Sequence, residues 1–165
     1  MQEDRTLIKF KDSLIVSGTG VMVFGFWVVI KSVLMLVFQR GEVNELVDHA
    51  LDDPEERKYI YLVMVIILVI IIGIRSYIGL SARADGFGRK KSMVYVIVAV
   101  AVLIFEVWAT IDSLSKFDGS SFDDIMDRSI EVLVDITTCI VMIQMIISSI
   151  AVRYLRRKKS EASHE

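Results

Sequence analysis

The chain has 165 residues, 54% of them hydrophobic, with one proline, one cysteine and a formal net charge of −2. Its apolar residues stand in blocks instead of being dispersed through amphipathic elements, which excludes an ordinary soluble domain. A single cysteine excludes an internal disulfide and a CxxC redox pair, and the basic run at 153–159 is too short and too close to an apolar block to suggest a nucleic-acid partner.

Residues 13–38, 60–82, 92–114 and 130–152 each exceed the ~20 residues needed to cross a bilayer. The first block is too long for a cleavable signal and follows the mixed-charge segment Glu3-Asp4-Arg5, so it is expected to stay as a span. Between the first two blocks, Val43, Leu46, Val47, Ala50 and Leu51 recur at helical spacing and predict a short amphipathic outer helix over 42–51. Asp53-Pro54-Glu55-Glu56 then reads as a helix start, with Asp53 as N-cap and proline in the first turn. Ala84-Asp85-Gly86-Phe87-Gly88 reads as a tight turn between the second and third blocks. Gly119-Ser120-Ser121 breaks the chain before a fourth helix that starts near Phe122 and continues into the basic tail at 153–165.

Arginine and lysine set the expected orientation. Twelve lie in the N-terminal segment, the 83–91 loop and the tail, against five in the other two loops, which are acidic. Both termini are therefore expected to be cytoplasmic. The expected architecture is an all-α, single-domain, four-helix transmembrane bundle, up-down-up-down, in the plasma membrane.

Each block carries one ionisable residue: Lys31, Arg75, Glu106 and Asp135. Charges within apolar spans are costly and mark candidate sites. At 1.5 Å per residue, Lys31, Glu106 and Asp135 fall roughly 10, 12 and 8 Å below the outer surface, with Glu131 one turn above Asp135. Stepping by three and four from each charge gives seams of small and polar residues: Ser13, Ser17, Gly20, Phe24 and Trp27 before Lys31; Tyr95, Ala99 and Val102 before Glu106; Thr138, Met142, Met145 and Ser149 after Asp135. The expected site is a cluster of Lys31, Glu106, Asp135 and Glu131 walled by Trp27 and Trp108, either as a wet outward pocket or as an ion pair fixing helix register. Arg75, nearer the inner surface, and Tyr95 are expected to be interfacial anchors. Gln144, out of phase with Asp135, is expected to bond across a helix or subunit contact.

No metal site or cofactor is expected: the calcium-loop spacing is absent, and His49 and His164 lack companion ligands. No G-x-S-x-G, H-E-x-x-H or glycine-rich phosphate loop is present, so the chain is not expected to be an enzyme. The fourth block has no repeated arginines and is no voltage sensor. The basic tail suits topology and anionic lipid. Two readings stand. One is a module that binds a ligand or partner protein from outside; the other is an oligomeric transporter or channel subunit using the Lys31–Glu106–Asp135 cluster.

Overall fold

Valine and isoleucine dominate these blocks, and in water they are weak helix formers. Hydrocarbon reverses that preference, because every backbone N–H and C=O must then be satisfied within its own segment. A computed structural model of the chain describes residues 2–38, 54–89, 92–115 and 122–161, and these are helical apart from short turns, with no strand among them. The helices are α1 (Gln2–Phe38), α2 (Pro54–Gly86), α3 (Val94–Ser115) and α4 (Phe122–Glu161). All four are long and apolar enough to cross a membrane. The expected outer helix at 42–51 and the Asp53 cap lie outside the described residues.

Helix ends differ from the sequence blocks in instructive ways. α1 starts at Gln2, well before residue 13, because Leu7, Phe10 and Leu14 carry the apolar seam into the charged N-terminal segment. α2 begins at Pro54, where a missing N–H costs nothing. It runs through the expected turn to Gly86 and stops one step later: Arg89 N donates to Ala84 O at 2.9 Å, Gly88 N donates to Asp85 O at 3.1 Å, and Gly88 has φ +93°. That is a Schellman stop, with glycine in the left-handed position that the reversal requires. α4 begins at Phe122 as expected, but stays helical through the basic run to Glu161.

The chain divides into two compact units, Met1–Val21 with Tyr77–Glu165, and Met22–Ser76. In the larger unit the core is Leu14 and Val21 of α1, Ile78 and Ala82 of α2, Tyr95, Val96 and Ala99 of α3, and Met142, Met145 and Val152 of α4. Contacts here pair in opposite chain order. Ser13 Oγ lies 2.9 Å from Ser148 Oγ while Gly20 faces Val141, and Arg153 bonds Ser92 while Ser149 bonds Tyr95. Small residues let α1 and α2 approach closely: a Cβ on Gly18 would stand 2.9 Å from the Gly79 carbonyl oxygen and 3.1 Å from the Ala82 Cβ. The buried α1 stripe is thus Leu14, Ser17, Gly18 and Val21; it shares Ser17 with the expected seam but runs one residue later than Ser13 and Gly20. In the smaller unit, Gly25 packs against the aliphatic stem of Arg75.

Hydroxyls in the spans bond to the carbonyl one turn back: Ser17 to Ser13 O at 2.7 Å, Thr19 to Ile15 O at 2.9 Å, Thr138 to Val134 O at 2.8 Å. A polar atom in hydrocarbon needs such a partner, and the preceding turn always supplies one. Gln144 Nε2 donates to Ser13 Oγ at 3.2 Å, so its bond crosses from α4 to α1.

Close approach makes the glycines unequal. A Cβ at Gly86 would sit 2.6 Å from Ile15 Cγ1 and 3.0 Å from the Lys11 carbonyl oxygen, whereas one at Gly73 meets nothing within 4 Å. Gly86→Ala is expected to destabilise the chain by about 1–3 kcal/mol through overpacking. Gly73→Ala is expected to be neutral or to stabilise by up to about 1 kcal/mol. Unfolding of both variants by denaturing detergent in mixed micelles checks the contrast; equal losses would contradict it.

Candidate functional site

Only one acid, Asp85, stands between Glu56 and Glu106, amid the arginines and lysines around the 83–91 loop. It occupies the last turn of α2 and is 1% exposed. Two arginines of α4 converge on it. Arg156 Nη1 donates to Oδ1 at 2.7 Å, and Arg153 Nη2 donates to Oδ2 at 3.2 Å. Arg156 also donates to the Asp85 backbone oxygen. From α3, the Tyr95 hydroxyl donates to Oδ2 at 2.9 Å, which leaves Ser149 Oγ to donate to the phenol oxygen at 2.7 Å. Arg153 lies over the Tyr95 ring, 5.7 Å from its centroid, and reaches the Ser92 carbonyl oxygen at 3.3 Å. One carboxylate thereby holds α3 and α4 to the end of α2.

The local sequence explains each placement. Ser149, Arg153 and Arg156 follow Met142 and Met145 at steps of three and four, so they extend the buried stripe of α4. Tyr95 stands one turn before Ala99 on the buried stripe of α3. The Schellman stop ends α2 just past Asp85 and fixes where its backbone carbonyl points.

The outer candidates fare differently. Glu106 and Asp135 are half-buried in the larger unit, on the stripes that run from Tyr95 and Ser149. Measured from the Tyr95–Ser149 hydrogen bond, they stand about 16 and 21 Å along their helices, one turn apart in level. Between those levels and the Asp85 clamp the stripes hold Ala99, Thr138, Met142 and Met145, all buried, and half-buried Val102. Lys31 is in α1 within the smaller unit and Glu131 is in α4, but the side chains of both lie outside the described residues. The expected aromatic walls are exposed: Trp27 at 47% and Trp108 at 63%, the latter 6.1 Å from the Phe105 ring. The two expected interfacial anchors are buried, Arg75 at 8% and Tyr95 at 1%. Anchoring needs a head or ring at the protein surface, and Tyr95 instead supplies its hydroxyl to Asp85.

Sequence reasoning missed the Asp85 clamp. The signal was the lone acid in a basic loop, together with the α4 stripe, which continues in phase past Ser149 into the tail. Among the described residues, no three His, Cys, Asp or Glu side chains are grouped to hold a metal ion. No protein-family model, curated protein or solved structure was found to match the chain.

Removing the carboxylate charge leaves two arginines facing each other in a largely dry site. Asp85→Asn is expected to cost about 3 kcal/mol. Tyr95→Phe removes one hydrogen-bonding hydroxyl while the ion pairs remain, and is expected to cost about 1 kcal/mol. Denaturing-detergent titration of the two variants gives the order; a Tyr95→Phe loss equal to that of Asp85→Asn would show that the charge is not what holds the clamp.

Proposed function

We propose that the chain is a four-span module of the cell membrane, up-down-up-down with both termini cytoplasmic, which binds a ligand or partner protein from the outer side through Glu106 and Asp135. One observation carries this reading. The two carboxylates are half-buried on inward stripes, while the side chains between them and the Asp85 clamp are mostly apolar and, apart from half-buried Val102, buried. Half-open carboxylates above packed layers suit binding better than conduction. The antiparallel pairing of contacts within the larger unit supports the up-down order, and the twelve-to-five division of arginine and lysine supports the orientation. The transporter reading uses the same carboxylates, but it requires the clamp and the packed methionines to part in every cycle.

Single-cysteine labelling tests the proposal, because Cys139 is the only native thiol. In a Cys139→Ser background, an impermeant cationic thiol reagent is expected to label Asp135→Cys from outside intact cells. Ser160→Cys, at the end of α4, is expected to react only after permeabilisation. Absence of reaction at Asp135→Cys from either side would rule out a wet pocket, and external reaction at Ser160→Cys would reverse the orientation. If proteoliposomes of the native chain carry a cation or proton flux that Glu106→Gln abolishes, the transporter reading replaces the binding one.

A further inference from the structure

The basic tail is not one feature. Arg153 and Arg156 turn inward to Asp85, their side chains 24% and 22% exposed, whereas the Arg157 side chain is 84% exposed and Lys158 and Lys159 are exposed beside it. The same end of the larger unit carries exposed Arg5 and Lys9 on α1 and exposed Arg89 after α2. Among the described side chains the exposed acids near them are Asp12 and Glu161, the latter paired with Arg157 at 3.0 Å in a solvent-screened contact. The described side chains of the rim are therefore net positive even with the clamp arginines set aside.

Level can be fixed from the clamp. Arg153 bonds both Asp85 and Ser92, so the ends of α2, α3 and the apolar part of α4 meet there. Phe87 and Tyr154, each within two residues of the clamp, are 66% and 69% exposed. Aromatic rings of this kind settle at the boundary between acyl chains and headgroups. Arg157 and Lys159 stand about 6 and 9 Å further along α4, which matches the roughly 5–8 Å depth of one headgroup layer.

We propose that this rim is a docking surface for anionic phospholipid headgroups. Phe87 and Tyr154 sit at the acyl boundary, Arg157, Lys158 and Lys159 engage the phosphates with Arg5, Lys9 and Arg89 around them, and Arg153 and Arg156 take no part. The proposal rests on the membrane reading of the four helices, but not on which side the rim faces.

The full chain is reconstituted in phosphatidylcholine vesicles with trace spin-labelled phosphatidylglycerol or spin-labelled phosphatidylcholine, and the motionally restricted fraction of each is measured. At about 0.05 M salt the native chain is expected to prefer phosphatidylglycerol several-fold, with the preference falling toward unity at about 0.5 M. Combined Arg157→Gln, Lys158→Gln and Lys159→Gln substitution is expected to reduce the preference at least about twofold, with unfolding unchanged because no clamp residue is touched. No preference in the native chain, or the same preference in the triple variant, overturns the proposal. A chain that does not span the membrane restricts neither lipid, so failure of the membrane reading is distinguishable. As a check on level, Tyr154→Trp in a Trp27→Phe, Trp108→Phe background is expected to be quenched most by lipids brominated near the glycerol backbone; a maximum near the chain ends overturns the placement.

Discussion

A buried carboxylate at the end of an apolar helix is the constraint on which the rest of the larger unit depends. Desolvating Asp85 costs several kcal/mol, and attraction to a single cation returns that only if geometry is good and the remaining lone pairs are filled. Here both oxygens are filled, Oδ1 by Arg156 and Oδ2 by Arg153 and Tyr95, and Ser149 completes the tyrosine. These partners must arrive from two helices at the right level, Tyr95 from α3 and Ser149, Arg153 and Arg156 from α4. The stop of α2 at Gly88, the phase of Tyr95 on α3 and the continuation of α4 past Val152 are all conditions for one oxygen pair to be satisfied.

Beyond the clamp, the unit solves a second problem by different means. In hydrocarbon there is little hydrophobic drive between helices, so association comes from close packing and internal hydrogen bonds. Gly18 against Gly79 and Ala82, and Gly86 against Ile15, bring α1 and α2 near enough for backbone atoms to touch. Ser13, Ser148 and Gln144 join α1 to α4 through side chains. Packing sets distance, and the clamp adds specificity. Sliding α4 by one turn would still set apolar side chains against apolar side chains, but would strip Asp85 of both arginines and Tyr95 of Ser149. A buried polar group is a weak source of net stability and a strong penalty on wrong registers.

Much of this is legible in the residues. Four apolar blocks specify four helices, and the α3 and α4 stripes read from Glu106 and Asp135 coincide with burial at Tyr95, Ala99, Thr138, Met142 and Met145. The α1 stripe falls out of phase when it is drawn through Lys31 and Trp27. The true phase is set by Gly18, whose role is a backbone approach that hydropathy does not register. The tryptophans mislead for a related reason: a large ring suits a pocket wall and a lipid-facing surface equally, and only packing decides. Asp85 is hidden by its neighbours, since Asp-Gly-Phe-Gly resembles a turn and a run of arginines resembles a topology signal.

Charge is therefore used in two opposed ways along the same stripes. At Asp85 it is fully enclosed, partnered from three directions and separated from Glu106 and Asp135 by buried methionines and small residues. Glu106 and Asp135 keep part of their surface open. A carboxylate committed to holding helices gains from exclusion of water, because its ion pairs strengthen as the local dielectric falls. A carboxylate meant to exchange partners needs the opposite, since a fully enclosed charge can be neither released nor replaced at modest cost. Burial thus separates the acids where charge and depth along the helix do not: Asp85 belongs to the scaffold, and the proposed recognition role fits only the pair that the scaffold leaves half open.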